Sequence, residues 1–382
     1  MGADTGTVRP AIAAAAAVTT LIGVGAAAIA AGRYASDAAL KAPLGRPLPG
    51  DPRLTVHATA PGRLTLTRSL ASLRPGTYGL EGPDVHAVVG AVLDEVPHAP
   101  DTVVRRLERV SHGTLDPRTR VRLTPQVHSG DPASALGLKH SDIDIPGELG
   151  ALPAWFVPGA RDTWVITVHG LGTTREHPMN IMEFLSAHHF PVLDLAYRGD
   201  LGAPRPPDGL AHLGDSEWRD LDAAIRYAVR HGAARVVLHG WSTGASMALH
   251  AAANSSLRDR ISGLVLDSPV LDWGTTLRNL AAARGTPGPL LPLVVRAAQG
   301  RTGLHGDRLL EAADPNGLRV PTLIFHGPDD TLAPWGLSRE LAARRPELIT
   351  LHTVRHAPHA AMWNAAPVSY EEALRRFLTP LM

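Results

Sequence analysis

The chain has 382 residues, with 37 Lys and Arg against 36 Asp and Glu and a formal net charge of +1. At roughly 150 residues per domain the length suggests two units, and a balanced charge without a Lys/Arg block argues against a nucleic-acid partner. Cysteine is absent, which removes disulfides, thiolate metal sites and cysteine nucleophiles, and the 19 histidines form no HExxH or similar cluster, so neither a metal nor a cofactor is expected.

Residues 1–33 form the first segment. Ala11 to Ala31 carry no charge and lie between Arg9 and Arg33. A run of about 20 uncharged residues can span a bilayer, whereas the apolar part of a cleaved signal is usually about 7–15. The expectation is therefore a single membrane-anchoring helix, with the side of the membrane undetermined. The alanine-rich composition weakens insertion, and Ala28-Ile29-Ala30 also fits a signal cleavage site, which would make the protein secreted; a soluble tail is the third option.

Residues 34–140 read as a linker followed by a β-rich accessory region. Residues 42–52 hold four prolines and two glycines, an irregular approach to folded structure. Leu54-Thr55-Val56 and Leu64-Thr65-Leu66-Thr67 flank a Pro61-Gly62 turn. Val85 to Val92 is a further strand candidate, and Val103 to Val110 fits a strand or a helix. No motif in this region carries chemistry.

From about residue 141 to 382 compact apolar runs alternate with helical segments. The runs are 164–168, 192–195, 236–238, 264–266, 322–325 and 348–354. Strands apolar on both faces belong in a parallel sheet covered by helices, so an α/β architecture follows. A helix over 216–230 would bury Leu221, Ala224, Ile225, Ala228 and Val229 and stop at Gly232. A last helix is expected to start at Ser369, with Glu372 completing a capping box. Residues 268–318 form an insertion between two strands, apolar through Leu290, Leu291, Leu293, Val294 and Val295, suited to a small helical lid.

Gly240-Trp241-Ser242-Thr243-Gly244 follows one of the strand runs and precedes a helical stretch. G-x-S-x-G in a strand–turn–helix setting exposes a serine on a turn too tight for bulky neighbours. Ser242 is therefore the candidate nucleophile. Its base should be a histidine after the last strand, and His359 is preferred over its rival His356. The acid should follow an earlier strand; Asp329 and Asp330 in His326-Gly327-Pro328-Asp329-Asp330 are the candidates, with Asp267 and Asp272 behind them. The oxyanion hole needs the N–H of Thr243 and a second donor, assigned to Leu171 in His169-Gly170-Leu171-Gly172.

Taken together, HGLG at 169–172, GWSTG at 240–244, HGPDDTLAP at 326–334 and His359 resemble the α/β-hydrolase superfamily. Within it the chain is similar to serine-aminopeptidase and monoacylglycerol-lipase types, in particular membrane-anchored bacterial members. The segment 212–220 also looks like that subgroup. The resemblance covers about residues 141–382 and selects Asp330, at the fifth position of HGxxD, as the acid. Ala245 stands where the family usually has a second glycine after the elbow. The resemblance implies a Ser242–His359–Asp330 triad and an acyl-enzyme intermediate. The apolar insertion, if it is a lid and not ordinary packing of the crossover helices, points to a carboxylic ester, small or lipid-like, as substrate; a serine peptidase with the same triad and a non-catalytic membrane-anchored binding protein on this fold are the alternatives.

Overall fold

A computed structural model describes residues 30, 32–37, 39–41, 53–303 and 317–381. The expected anchor over 11–31 and the linker over 42–52 lie essentially outside them. Among the described residues no helix is long and apolar enough to cross a membrane.

The accessory region is a closed six-stranded barrel of strands β1 (Leu54–Ala60), β2 (Arg63–Thr67), β3 (Tyr78–Glu81), β4 (His86–Val92), β5 (Thr102–His112) and β6 (Arg120–Thr124), in the order 1-2-5-4-3-6. The β1–β2 hairpin turns at Pro61-Gly62. Residues 103–110 are strand, since their backbone pairs antiparallel with β2 on one side and β4 on the other. Strands β3 and β6 are the two the sequence pattern did not announce. They are only four and five residues long and are recruited by closure, which leaves no open edge. Inside lie Leu54, Val56, Leu64, Leu66, Leu80 and Val121, each at most 2% exposed.

The second unit is an eight-stranded sheet. It adds β7 (Ser141–Pro146), β8 (Ala151–Val157), β9 (Thr163–Val168), β10 (Val192–Leu195), β11 (Arg235–Trp241), β12 (Ile261–Asp267), β13 (Thr322–His326) and β14 (Ile349–Thr353), in the order 14-13-12-11-9-10-8-7. Strands β9 to β14 run parallel, and β7 and β8 form an antiparallel edge. Strand β10 lies on one side of β9 and β11 on the other, so the chain changes direction across the sheet there. Ligands bind beyond the carboxyl ends of strands at such a point. The loops leaving β9 and β11 are those of HGLG and GWSTG.

Two apolar clusters cover the two faces of this sheet. The helix Trp218–Arg230 buries Leu221, Ala224, Ile225 and Ala228 as its spacing requires, while Val229 is half-buried. The final helix begins at Pro367, not Ser369, and has no side-chain cap. Proline, lacking an N–H, suits the first turn, and Ser369 is left to bond the ring of His352. The insertion forms the helices Trp273–Ala283 and Leu291–Thr302. The backbone is also helical over 32–37 and 39–40, so a linker beginning at 34 is corrected: Ala39 and Leu40 are buried with Val294, Leu213 and Trp273 in a cap over the sheet. Gly32 makes this close approach, since a β-carbon there would lie 3.1 Å from the Leu293 backbone oxygen.

Candidate active site

Ser242 lies between the end of β11 and the helix Thr243–Asn254, with φ 52 and ψ −114. A non-glycine residue in that region costs about 1–3 kcal/mol and persists only where its surroundings enforce it. Here the Ser242 N–H donates to the Asp267 carbonyl at 2.8 Å. The crossing is too close for side chains at the flanking positions. A β-carbon on Gly240 would lie 2.3 Å from the Gly244 carbonyl, and one on Gly244 would lie 2.2 Å from the Val168 oxygen. Ala245, in place of a second glycine, is fully buried.

The structure brings Ser242, His359 and Asp330 together across three loops. His359 Nε2 is 2.7 Å from Ser242 Oγ, and His359 Nδ1 is 2.7 Å from Asp330 Oδ2. A carboxylate at Nδ1 fixes the proton there and leaves Nε2 as acceptor for the serine hydroxyl. Burial alone would lower the His359 pKa, but the charge of Asp330, its hydrogen bond and the field of Asp267 outweigh this and raise it above the ordinary 6.5.

Asp330 is held from every side. Its Oδ1 accepts the Leu332 and Ala333 N–H groups, each at 2.9 Å, and its Oδ2 also accepts His326 Nε2–H at 3.0 Å. Burial pushes this carboxyl up, yet the charge of His359 and the bonds from His326 and His359 hold it far below the usual carboxylate range. Asp329 points away, and its Oδ2 accepts the N–H of His356 at 2.7 Å. The ring of His356 is exposed. Asp272 caps the helix Trp273–Ala283, accepting Thr275 N–H at 2.9 Å.

Thr243 follows Ser242 in the chain, and Leu171 follows Gly170 in the HGLG loop. Thr243 opens its helix, so its N–H has no acceptor four residues back. Gly170 packs on Ser242, where a β-carbon would stand 2.8 Å from the Ser242 Cβ. The next residue, Leu171, is buried beside a cavity of about 740 Å³ bounded by Leu40, Tyr197, Leu201, Leu210 and Ala211. Ser242 is only 3% exposed and is not among the residues that line this cavity.

Several residues that organise the site carried no motif signal of their own. In the sequence His326 stands out only as the start of the motif that holds the two carboxylates; its Nδ1 accepts from Ser338 Oγ at 2.8 Å, which aims Nε2–H at Asp330. Asp200 accepts from His169 Nε2 at 2.8 Å and from Tyr197 N–H at 2.8 Å, fixing the base of the HGLG loop. Asp267 is fully buried and its pKa is pushed up to about 7 by burial. Its Oδ1 accepts from Ser268 Oγ at 2.8 Å, and the Ser268 oxygen in turn accepts the N–H of Ala360, next to His359, at 3.0 Å. Among the described residues no group of His, Asp and Glu is placed to hold a metal ion.

Residues 163–285 match the family described as alpha/beta hydrolase fold, and residues 55–124 match a domain of unknown function (DUF8805). No curated protein matches the chain. The Pyrococcus furiosus esterase Pf2001, in one crystal form, is 22% identical with a TM-score of 0.54, over 66% of this chain and 96% of that one. A second crystal form of that esterase gives 23% identity and the same TM-score, over 66% of this chain and 94% of that one. Identities this low speak to architecture.

Proposed function

We infer from its α/β-hydrolase fold that this chain is a hydrolase. We propose that it is a serine hydrolase acting on carboxylic esters through an acyl-enzyme, with Ser242 as nucleophile, His359 as base and Asp330 as the acid that orients the base. The observation that carries this reading is the unbroken relay of 2.7 Å contacts from Ser242 Oγ through both nitrogens of His359 to Asp330.

In this reading the ester carbonyl enters between Ser242 and the Leu171 loop. His359 Nε2 takes the hydroxyl proton as Oγ attacks the carbonyl carbon. The oxyanion that forms lies within reach of the Leu171 and Thr243 N–H groups, and the helix N-terminus behind Ser242 favours its charge. The imidazolium returns the proton to the leaving alcohol, the C–O bond breaks, and an acyl-serine remains. Water then repeats the sequence and frees the acid. Asp330, kept ionised, stabilises the imidazolium in both halves.

The cavity supports an apolar acyl or alkyl group, because Leu40, Leu171, Leu201 and Leu210 form much of its wall. Arg205 and Lys41, both exposed, stand on the same wall. Attachment to a membrane through residues 11–31 is part of the proposal, and places this cavity near a lipid-derived supply of esters.

A fluorophosphonate probe and a panel of p-nitrophenyl esters set against aminoacyl-anilides test the reading. The wild-type chain is expected to be labelled and to cleave short and medium acyl esters, and Ser242→Ala to do neither while remaining folded. Labelling of the Ser242→Ala variant would assign the nucleophile elsewhere. An unlabelled, inactive wild type would favour a binding protein, and preferential cleavage of anilides a peptidase.

A further inference from the structure

The barrel touches the sheet domain at the two loops that, in the proposed reading, carry the oxyanion donor and the base. On the first side, Gln126 leaves the barrel just after β6 and straddles the segment that follows Leu171. Its Oε1 accepts the Thr174 N–H at 3.1 Å and its Nε2 donates to Glu176 Oε2 at 3.1 Å. Glu176 Oε1 reaches back to accept the Gly130 N–H at 2.7 Å, closing a ring of bonds between the two units. The adjoining Thr173 N–H bonds the Gly170 carbonyl at 3.3 Å, so a fixed Thr174 also fixes the turn from which the Leu171 N–H projects.

On the second side, the short helix Met362–Ala365 follows His359 by three residues. Asn364 pairs with Thr77 in both directions, Thr77 N–H to the Asn364 carbonyl at 2.8 Å and Asn364 Nδ2 to the Thr77 carbonyl at 2.9 Å. The same amide donates to the Pro125 carbonyl at 3.0 Å, and Ala361 is buried in the barrel's own apolar cluster. The joint has no slack, since a β-carbon on Gly76 would lie 2.0 Å from the Asn364 carbonyl oxygen.

Within the barrel, Arg105 holds that surface in place. Its side chain is fully buried and donates to the carbonyls of Ser72, Arg74, Gly76 and Gly90 at 2.5–3.1 Å. A buried cation spent on backbone carbonyls fixes the loop 72–76, and with it Thr77. Helix Met179–Ala187 supplies a further anchor, with Asn180 Nδ2 on the Pro125 carbonyl at 2.8 Å.

We propose that the barrel, matched only to a domain of unknown function, acts as a clamp that sets the oxyanion loop and the base loop in mutual register, with Gln126 and Asn364 as its positioning residues. The role rests on the hydrolase reading for its consequence but not for its geometry. A loose oxyanion donor lowers the rate of the chemical step more than it weakens substrate binding. Losing one such donor outright costs about 10²–10³ in kcat; a donor left in place but untethered is expected to cost about tenfold.

The test uses the full chain and Gln126→Ala, a half-buried side chain whose loss leaves no buried charge. Hydrogen exchange in the peptide covering 170–176 should accelerate, with the barrel strands unchanged. In parallel, kcat on a p-nitrophenyl ester should fall about tenfold with KM altered less than about twofold. Asn364→Ala should act on the base instead, moving the acid limb of the pH–rate profile to lower pH as His359 loses its close contact with Asp330. Wild-type exchange in 170–176 together with wild-type kcat in Gln126→Ala would overturn the clamp. So would activity loss in both variants that only tracks the fraction unfolded. An inactive wild type defeats the hydrolase reading separately, and the exchange comparison still decides whether the barrel holds the loop.

Discussion

Replacing Asp330 by Asn separates the two neighbouring aspartates in a way the hydrogen bonds make quantitative. The carboxylate of Asp330 accepts four donors, two histidine N–H groups on Oδ2 and two backbone N–H groups on Oδ1. An amide has one accepting end. With its oxygen toward His359, its NH₂ opposes the Leu332 and Ala333 N–H groups; two buried donors are left unpaired at about 1–3 kcal/mol each. Turned the other way, it faces both histidines with a donor and invites the wrong His359 tautomer, a defect worth about 10⁴ in kcat in a serine protease. We therefore expect Asp330→Asn to lose about 2–6 kcal/mol of stability and about 10²–10⁴ in turnover. His359 also loses the charge that holds its pKa up, while burial continues to push it down. The residual activity should extend to lower pH than the wild type's. Asp329→Asn keeps an oxygen for the His356 N–H and should cost under about tenfold. The assay is kcat and kcat/KM on a p-nitrophenyl ester between pH 5 and 9 on an order-of-magnitude grid of rates, with thermal melting on the same samples. Wild-type turnover in Asp330→Asn, or a crippled Asp329→Asn, would refute the assignment.

For the wild type, His359 accepts a proton only when neutral and its pKa lies above 6.5, so kcat/KM should climb with pH and reach half its plateau above pH 6.5; a half-point below that value contradicts the Asp330 contact. Gly244→Ala drives a β-carbon to 2.2 Å from the Val168 oxygen and should destabilise by about 3 kcal/mol or more with loss of activity, read by melting and probe labelling. Removing residues 1–50 takes away Leu40 and Lys41 from the cavity wall, and should raise turnover of bulky esters relative to small ones; an unchanged ratio in a kinetic comparison would show that the cavity is not the substrate path. The full-length chain should sediment with membranes and the shortened one should not, and an intact full-length chain in the soluble fraction would exclude the anchor.

The sheet domain was legible in the sequence because its signals are local. Each parallel strand is apolar on both faces, so 164–168 or 322–325 stand out as short continuous runs. The elbow was legible for a similar reason: Gly240 and Gly244 touch backbone four residues or one strand away, and a contact that tight admits no substitute. The barrel was half visible. Its hairpin at Pro61-Gly62 has a turn signature, but β3 and β6 are too short to declare a period and become strands only when the ring closes on them. Helix ends misled, as at Ser369, where a capping pattern is present but Pro367 already sets the first turn. What sequence spacing had no means of deciding was which of two adjacent carboxylates turns inward, that His326 braces it, and that Gln126 and Asn364 tie a separate barrel to the loops around Ser242. Except for His326 and Asp330, which are four positions apart, those contacts join residues tens to hundreds of positions apart. They arise only when strand order brings loop ends together, and a polar side chain that will find its partner there looks, along the chain, like any other surface residue.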